Sequence, residues 1–217
     1  MKTILFNASP RKNRNTAQLL QEALKGAESA GAQTEYVDLY DLRFTGCRSC
    51  LACKRAGAER SKCYWKDDLS PLIDRIREAD ALIIGTPIYF GEPTSQYRAL
   101  IERLLFCNLS YDGGAERSYF KGKLNVGVIY TMNAPKEYYE KAMRPALEGT
   151  ERMMAMLLKG EVRSYAACNT LQVDDYSKYA MNGFSEEAKK AWREAQFPAD
   201  LQEAFHLGAE LSRKEEA

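Results

Sequence analysis

The amino-acid sequence predicts an α/β sandwich on a doubly wound, five-stranded parallel sheet of order 2-1-3-4-5. Three observations lead there. Five short apolar runs alternate with five segments of helical periodicity. The middle run, Ala81-Leu82-Ile83-Ile84-Gly85, is apolar without a break, as a strand covered on both faces requires. A turn rich in hydroxyls, amides and arginines joins the first strand to the first helix. In a sheet of this order the ligand sits at the switch between strands one and three, beside such a turn.

Each element follows from its residues. Thr3, Ile4, Leu5 and Phe6 suit a buried strand. Leu19, Leu20, Ala23, Leu24 and Ala27 recur at helical spacing, with Asn15 or Thr16 as N-cap and Gly31 as the stop. Residues 34–39 form the second strand, and a cysteine-rich stretch, 46–65, follows. Ser70-Pro71 reads as N-cap and first helical residue, with Leu72, Ile73, Ile76 and Ala79 on the apolar face. Strand three ends at Gly85 and is followed by a loop over 86–93. The next helix buries Tyr97, Leu100, Ile101, Leu104 and Leu105. Asp112-Gly113-Gly114 marks a turn inside a loop over 111–123. Strand four spans 124–130, a helix spans 136–158 with Pro145 bending or restarting it, and strand five spans 161–167. Ser185-Glu186-Glu187 resembles a helix start, Pro198 punctuates, and Leu201, Ala204, Phe205, Gly208 and Leu211 line a last helix. All parallel strands end on one side, so the loops after strands one to four share one rim.

Composition narrows the class. The 217 residues are 45% hydrophobic and 28% charged, the balance of a globular chain. Formal net charge is +1, so no strong field favours nucleic acid or an anionic membrane. The first strand starts almost at Met1 and no apolar run approaches the roughly 18 residues a membrane span needs. A cytoplasmic protein is expected. Its six cysteines then read as metal ligands, redox groups or core fillers rather than disulfides.

The opening turn, Asn7-Ala8-Ser9-Pro10-Arg11-Lys12-Asn13-Arg14-Asn15-Thr16, carries phosphate-binding chemistry. Free N–H groups and the positive end of a helix point back at it. Ser9 and Thr16 bring hydroxyls, Asn13 and Asn15 amides, and Arg11 a fork suited to phosphate oxygens. The alternative is an ordinary connection with a solvated basic loop. Neither G-x-x-x-x-G-K-[ST] nor G-x-G-x-x-G is present there. Thr86-Pro87-Ile88-Tyr89-Phe90-Gly91-Glu92-Pro93 has few charges, two aromatics and a glycine, which suits a flat, largely apolar ligand. An aromatic plug between helices is the competing reading. Thr131-Met132-Asn133 closes the third side.

The two loops together resemble the phosphate and isoalloxazine loops of the flavodoxin-like NAD(P)H-dependent FMN reductases and iron–sulfur flavoproteins. Ala79-Asp80 and Ile101-Glu102-Arg103 resemble that group as well, and the likeness covers about residues 1–135. It implies a flavodoxin-like three-layer sandwich forming one FMN-binding domain over 1–217, with a helical tail from about 170. It implies that Ser9, Arg11, Asn13, Asn15 and Thr16 hold the phosphate. Pro87, Ile88, Tyr89, Phe90, Gly91, Thr131, Met132 and Asn133 would hold the flavin. The implied activity is NAD(P)H-dependent reduction of FMN and then of a quinone, another flavin or another small acceptor, in a homodimer or higher homo-oligomer. The flavin does the chemistry, so no catalytic side chain is named.

Cys47, Cys50, Cys53 and Cys63 form the second distinctive feature. Four thiolates in one loop can hold a [4Fe–4S] cluster, although the nine-residue last gap is longer than in iron–sulfur flavoproteins. Zinc, or cysteines that are redox-active or merely packed, are the other readings. A cluster there would make the protein an iron–sulfur electron carrier with a redox-protein partner. Cys107 and Cys168 read as core residues, and His206, the only histidine, as a surface or packing residue.

Overall fold

The computed structural model describes residues 1–213. Five strands form the parallel sheet: β1 (Lys2–Asn7), β2 (Gln33–Asp38), β3 (Ala81–Tyr89), β4 (Leu124–Thr131) and β5 (Lys159–Ala167). Their order is β2-β1-β3-β4-β5, as expected from the alternating pattern. The helices are α1 (Asn15–Ser29), α2 (Ser70–Ile76), α3 (Ser95–Asn108), α4 (Arg144–Leu158) and α5 (Glu186–Leu211).

Side chains alternate across the sheet with period two. Ile4, Phe6, Leu82, Ile84, Val126, Val128 and Tyr130 pack against α2, α3 and α4. Leu5, Ile83 and Ile129 pack against Leu19, Leu20 and Ala23 of α1 and Ala204, Leu207 and Leu211 of α5. The result is three layers, the flavodoxin-like arrangement. On the second face two helices cross at backbone contact. A Cβ on Gly208 would lie 1.9 Å from the Ala23 carbonyl oxygen, and one on Gly26 2.0 Å from that of Phe205. Only glycine permits so close an approach.

Several boundaries differ from the sequence reading. Strand β3 does not stop at Gly85 but runs to Tyr89, because Thr86 and Pro87 still pair with Tyr130 and Thr131 of β4. Arg14, not Asn15 or Thr16, is the N-cap of α1, and Leu69, not Ser70, that of α2. Pro198 does not separate two helices. It lies inside α5 on the solvent face, where water can satisfy the carbonyl it releases. Before Pro145 the chain makes one helical turn, Lys136–Tyr138, and then a π-helical stretch, Tyr139–Met143.

Candidate functional site

The rim at the strand C-termini opens into one cavity of about 580 Å³. A volume of that size suits a cofactor or drug-sized ligand. Of the sequence-named flavin-site residues, Ser9, Arg11, Asn15, Thr16, Pro87, Ile88, Tyr89, Phe90, Gly91, Thr131, Met132 and Asn133 line it. Asn13 does not. It faces a neighbouring depression, and its carbonyl accepts from Gln18 Nε2 at 2.9 Å.

The phosphate-type turn is held by its own side chains. Asn7 Oδ1 accepts the Ser9 N–H at 3.0 Å, and Asn7 Nδ2 donates to Asp38 at 2.7 Å. Ser9 Oγ accepts the Arg11 N–H at 3.1 Å, so its own hydrogen stays free to donate. No side chain caps α1, which leaves its first N–H groups directed at the turn. Arg11 adds an arginine to the wall, and Arg14 lines it too with its guanidinium paired to Asp174. This donor set fits a dianionic phosphate. Thr16 and Thr131 hydroxyls meet at 2.7 Å beneath it, both buried, tying the first loop to the end of β4. Only one of that pair can donate to the other, so one hydroxyl hydrogen is spare.

The apolar strip is a tight hairpin. Tyr89 pairs with Glu92, and both central residues, Phe90 and Gly91, have positive φ (54° and 86°). That is the two-residue turn whose twist matches the strands, and it places a phenylalanine where asparagine or glycine is usual. Phe90 is fully exposed at the tip and Tyr89 half-exposed, with burial raising the Tyr89 hydroxyl's pKa. The two rings flank the mouth rather than plug two helices together. Thr94 seats the hairpin: it caps α3 and donates to the Ala8 carbonyl at 2.8 Å.

The tail supplies the remaining wall, which sequence reasoning left without a role. Thr170 and Gln172 line the cavity, with Arg14, Ala134, Tyr138, Ala142 and Met143, none of them assigned to the site from sequence. Arg11 donates to the Gln172 carbonyl at 2.6 Å, and Arg14 makes a two-pronged pair with Asp174 at 2.6 and 2.7 Å. Asn15 donates to the Leu171 carbonyl at 2.9 Å and accepts from Arg193 at 2.7 Å. One of its two amide hydrogens is therefore taken by the tail, and the other is left to donate.

The cysteine stretch contributes nothing to this cavity. Its place on the rim, expected for the loop after β2, is taken by the loop after β5. The stretch instead lies along α3. Cys47 N–H donates to Glu102 at 3.2 Å, and Lys54 Nζ donates to the Phe106 and Leu109 carbonyls at 2.6 and 2.5 Å. Arg103, 1% exposed, is the hub. Its guanidinium grips both oxygens of Asp67 (2.7 and 3.2 Å), the Thr45 and Trp65 carbonyls, and Cys63 Sγ at 3.0 Å. Cys50 is exposed and Cys53 buried; burial raises the Cys53 thiol. Among the described residues no three cysteine, histidine or acidic side chains are gathered as a metal-ligand set. Cys47, Cys50 and Cys63 nevertheless all lie near enough to Cys53 to raise its thiol further by their charges. Cys107 is a core residue, its thiol pushed up to about 12 by burial, and His206 is exposed against Phe205. No helix among the described residues is long and apolar enough to cross a membrane.

A three-layer sandwich with a phosphate-type turn and an apolar hairpin on one rim defines the class as flavodoxin-like. Among solved structures it is similar to an NAD(P)H:quinone oxidoreductase from Methanothermobacter marburgensis, with TM-score 0.69 and 17% identity over 99% of this chain and 98% of that one. The family described as NADPH-dependent FMN reductase matches residues 1–167, and the chain belongs to it. An iron–sulfur flavoprotein of Methanocaldococcus jannaschii is 37% identical over 103 residues, 48% of this chain and 51% of that protein. One from Methanosarcina thermophila is 24% identical over 88% of this chain and 93% of its own length. The chain spans about half the length of the first curated relatives it matches.

Proposed function

We propose that this chain binds FMN in the rim cavity and works as an oxidoreductase, accepting hydride from NAD(P)H and passing electrons to a small acceptor such as a quinone or another flavin. The observation that carries the reading is the polarity of one cavity. One end is an uncapped helix N-terminus with Ser9, Arg11 and Arg14, and the other is the weakly charged Pro87-to-Gly91 hairpin. A phosphorylated flat heterocycle matches both ends at once. When bound, FMN supplies the hydride and electron-transfer chemistry. The chain's residues bind and orient it. Ser9 Oγ, the Arg11 guanidinium and the first N–H groups of α1 hold the phosphate; Pro87, Ile88 and Met132 exclude water from one side of the ring. We further propose that the tail from about 170 belongs to the same FMN-binding unit, since it carries Thr170 and Gln172.

Titration of FMN into the apoprotein, followed by flavin fluorescence, tests this. Saturable one-to-one binding is expected, weakened at least tenfold by Ser9→Ala with Arg11→Ala. Anaerobic NADPH or NADH is expected to bleach the bound flavin. A folded protein that ignores FMN would sink the proposal.

The second reading is an iron–sulfur electron carrier serving a redox protein. It is supported by the four cysteines in one loop and by relatives named iron–sulfur flavoproteins. The other three thiols neighbour Cys53, and cluster binding would draw the four closer. Iron and sulfide analysis after anaerobic purification decides it: about four of each per chain supports a cluster, and none with intact FMN removes it.

A further inference from the structure

Lys189 stands in the first turns of α5 and is only 7% exposed. Its Nζ donates to the Asn133 carbonyl at 3.2 Å and to the side-chain oxygens of Asn133 and Asn169. The Phe184 ring lies 5.4 Å away. Every one of these partners is neutral. Burial lowers the Lys189 pKa, and no neighbouring acid counters it. A buried ammonium held by dipoles alone is costly, and the cost falls when a negative charge arrives nearby.

Lysine can only donate, so both asparagines must turn their oxygens to it and their NH₂ groups away. Asn133 lines the cavity on the side where Thr131 and Met132 also face it. Lys189 thereby makes Asn133 a fixed donor and backs its loop with an unpaired positive charge.

We propose that Lys189 is a positioning residue for the flavin: it presents Asn133 as a hydrogen-bond donor to the ring and favours reduced over oxidised FMN. This rests on the FMN reading above. Hydride brings two electrons and one proton, so the reduced ring carries one more negative charge than the oxidised ring. The positive charge behind Asn133 answers that added charge. The tail helix then tunes the cofactor as well as walling it in.

The test compares wild type with Lys189→Met, Lys189→Arg and Asn169→Asp. Asn169 lies outside the cavity wall, so an aspartate there neutralises Lys189 while keeping its tether. The readouts are the FMN dissociation constant in the oxidised state and the two-electron midpoint potential by dye equilibration. In K189M and N169D the preference for reduced FMN is expected to fall about tenfold, a potential lower by about 30 mV. K189R is expected to stay near wild type. An unchanged potential in K189M, with both redox states bound equally less well, would assign Lys189 a purely structural role and overturn the proposal. If K189M does not fold, an unchanged potential in N169D overturns it alone. Wild type that fails to bind FMN refutes the underlying reading instead, before any variant is compared.

Discussion

Asp67→Asn is expected to destabilise the protein by about 3 kcal/mol. The Arg103 guanidinium it leaves behind is 1% exposed and keeps only neutral acceptors: the Thr45 and Trp65 carbonyls, Ser70 Oγ and Cys63 Sγ. Breaking a buried pair from one side costs about 3–5 kcal/mol. The neutral acceptors that remain put D67N at the lower end of that range. Arg103→Met belongs at the upper end, because Asp67 is then stranded at 11% exposure and the guanidinium's bonds to the cysteine stretch go with it. The double variant D67N/R103M is expected to cost less than the sum, since neither charge is left alone. Urea unfolding followed by circular dichroism reads this directly. With a slope of about 1–3 kcal/mol per molar, a loss of 3 kcal/mol moves the midpoint by about 1–3 M. Against a total of about 5–15 kcal/mol, that is a large share. A D67N midpoint within about 0.3 M of wild type, or strictly additive single variants, would refute the assignment of Arg103–Asp67 as the clasp of this loop.

Three further outcomes are expected. Burial alone would raise the Asp67 carboxyl, but the Arg103 hydrogen bonds and charge, with Thr45 N–H and Ser70, outweigh it and hold the pKa below the usual carboxylate value. A depressed acid stabilises the fold above its unfolded pKa and loses that contribution as pH falls through the folded value. Wild type should therefore lose stability on acidification below the ordinary carboxylate range more steeply than D67N, in unfolding midpoints measured from pH 6 to pH 2. Gly208→Ala sets a Cβ 1.9 Å from the Ala23 carbonyl oxygen and should cost about 2–3 kcal/mol, lowering the melting temperature by about 4–12 °C. A melt unchanged by calorimetry would mean that α1 and α5 part freely. Thr16→Val removes the hydroxyl bonded to Thr131 and should cost about 1 kcal/mol in stability, with weaker FMN binding in the fluorescence titration. Unaltered values for both would leave that buried pair without a role.

What the sequence determined by itself was the architecture and two sides of the site. Unbroken apolar runs and 3.6-period stripes are local signals, and right-handed crossovers left few ways to order the strands. Ser9, Arg11 and Thr16, and the stretch from Pro87 to Gly91, were legible because each lies next to a strand end whose direction the pattern had already set. The tertiary structure decided the rest. Asn15 lines the cavity, and only the fold shows that it also ties the turn to Leu171 and Arg193, 156 and 178 positions away. Glu102 and Arg103 carry a family likeness, and only packing shows that they clamp the cysteine stretch to α3. The segment after β5 displaced that stretch from the rim, and Lys189 reached Asn133 across 56 positions of chain. Contacts of that kind depend on where separated helices meet, and two glycines, Gly26 and Gly208, let α5 sit close enough to α1 for the tail to arrive. Local periodicity reports which face of an element is buried; it holds no record of which distant side chain will be waiting there.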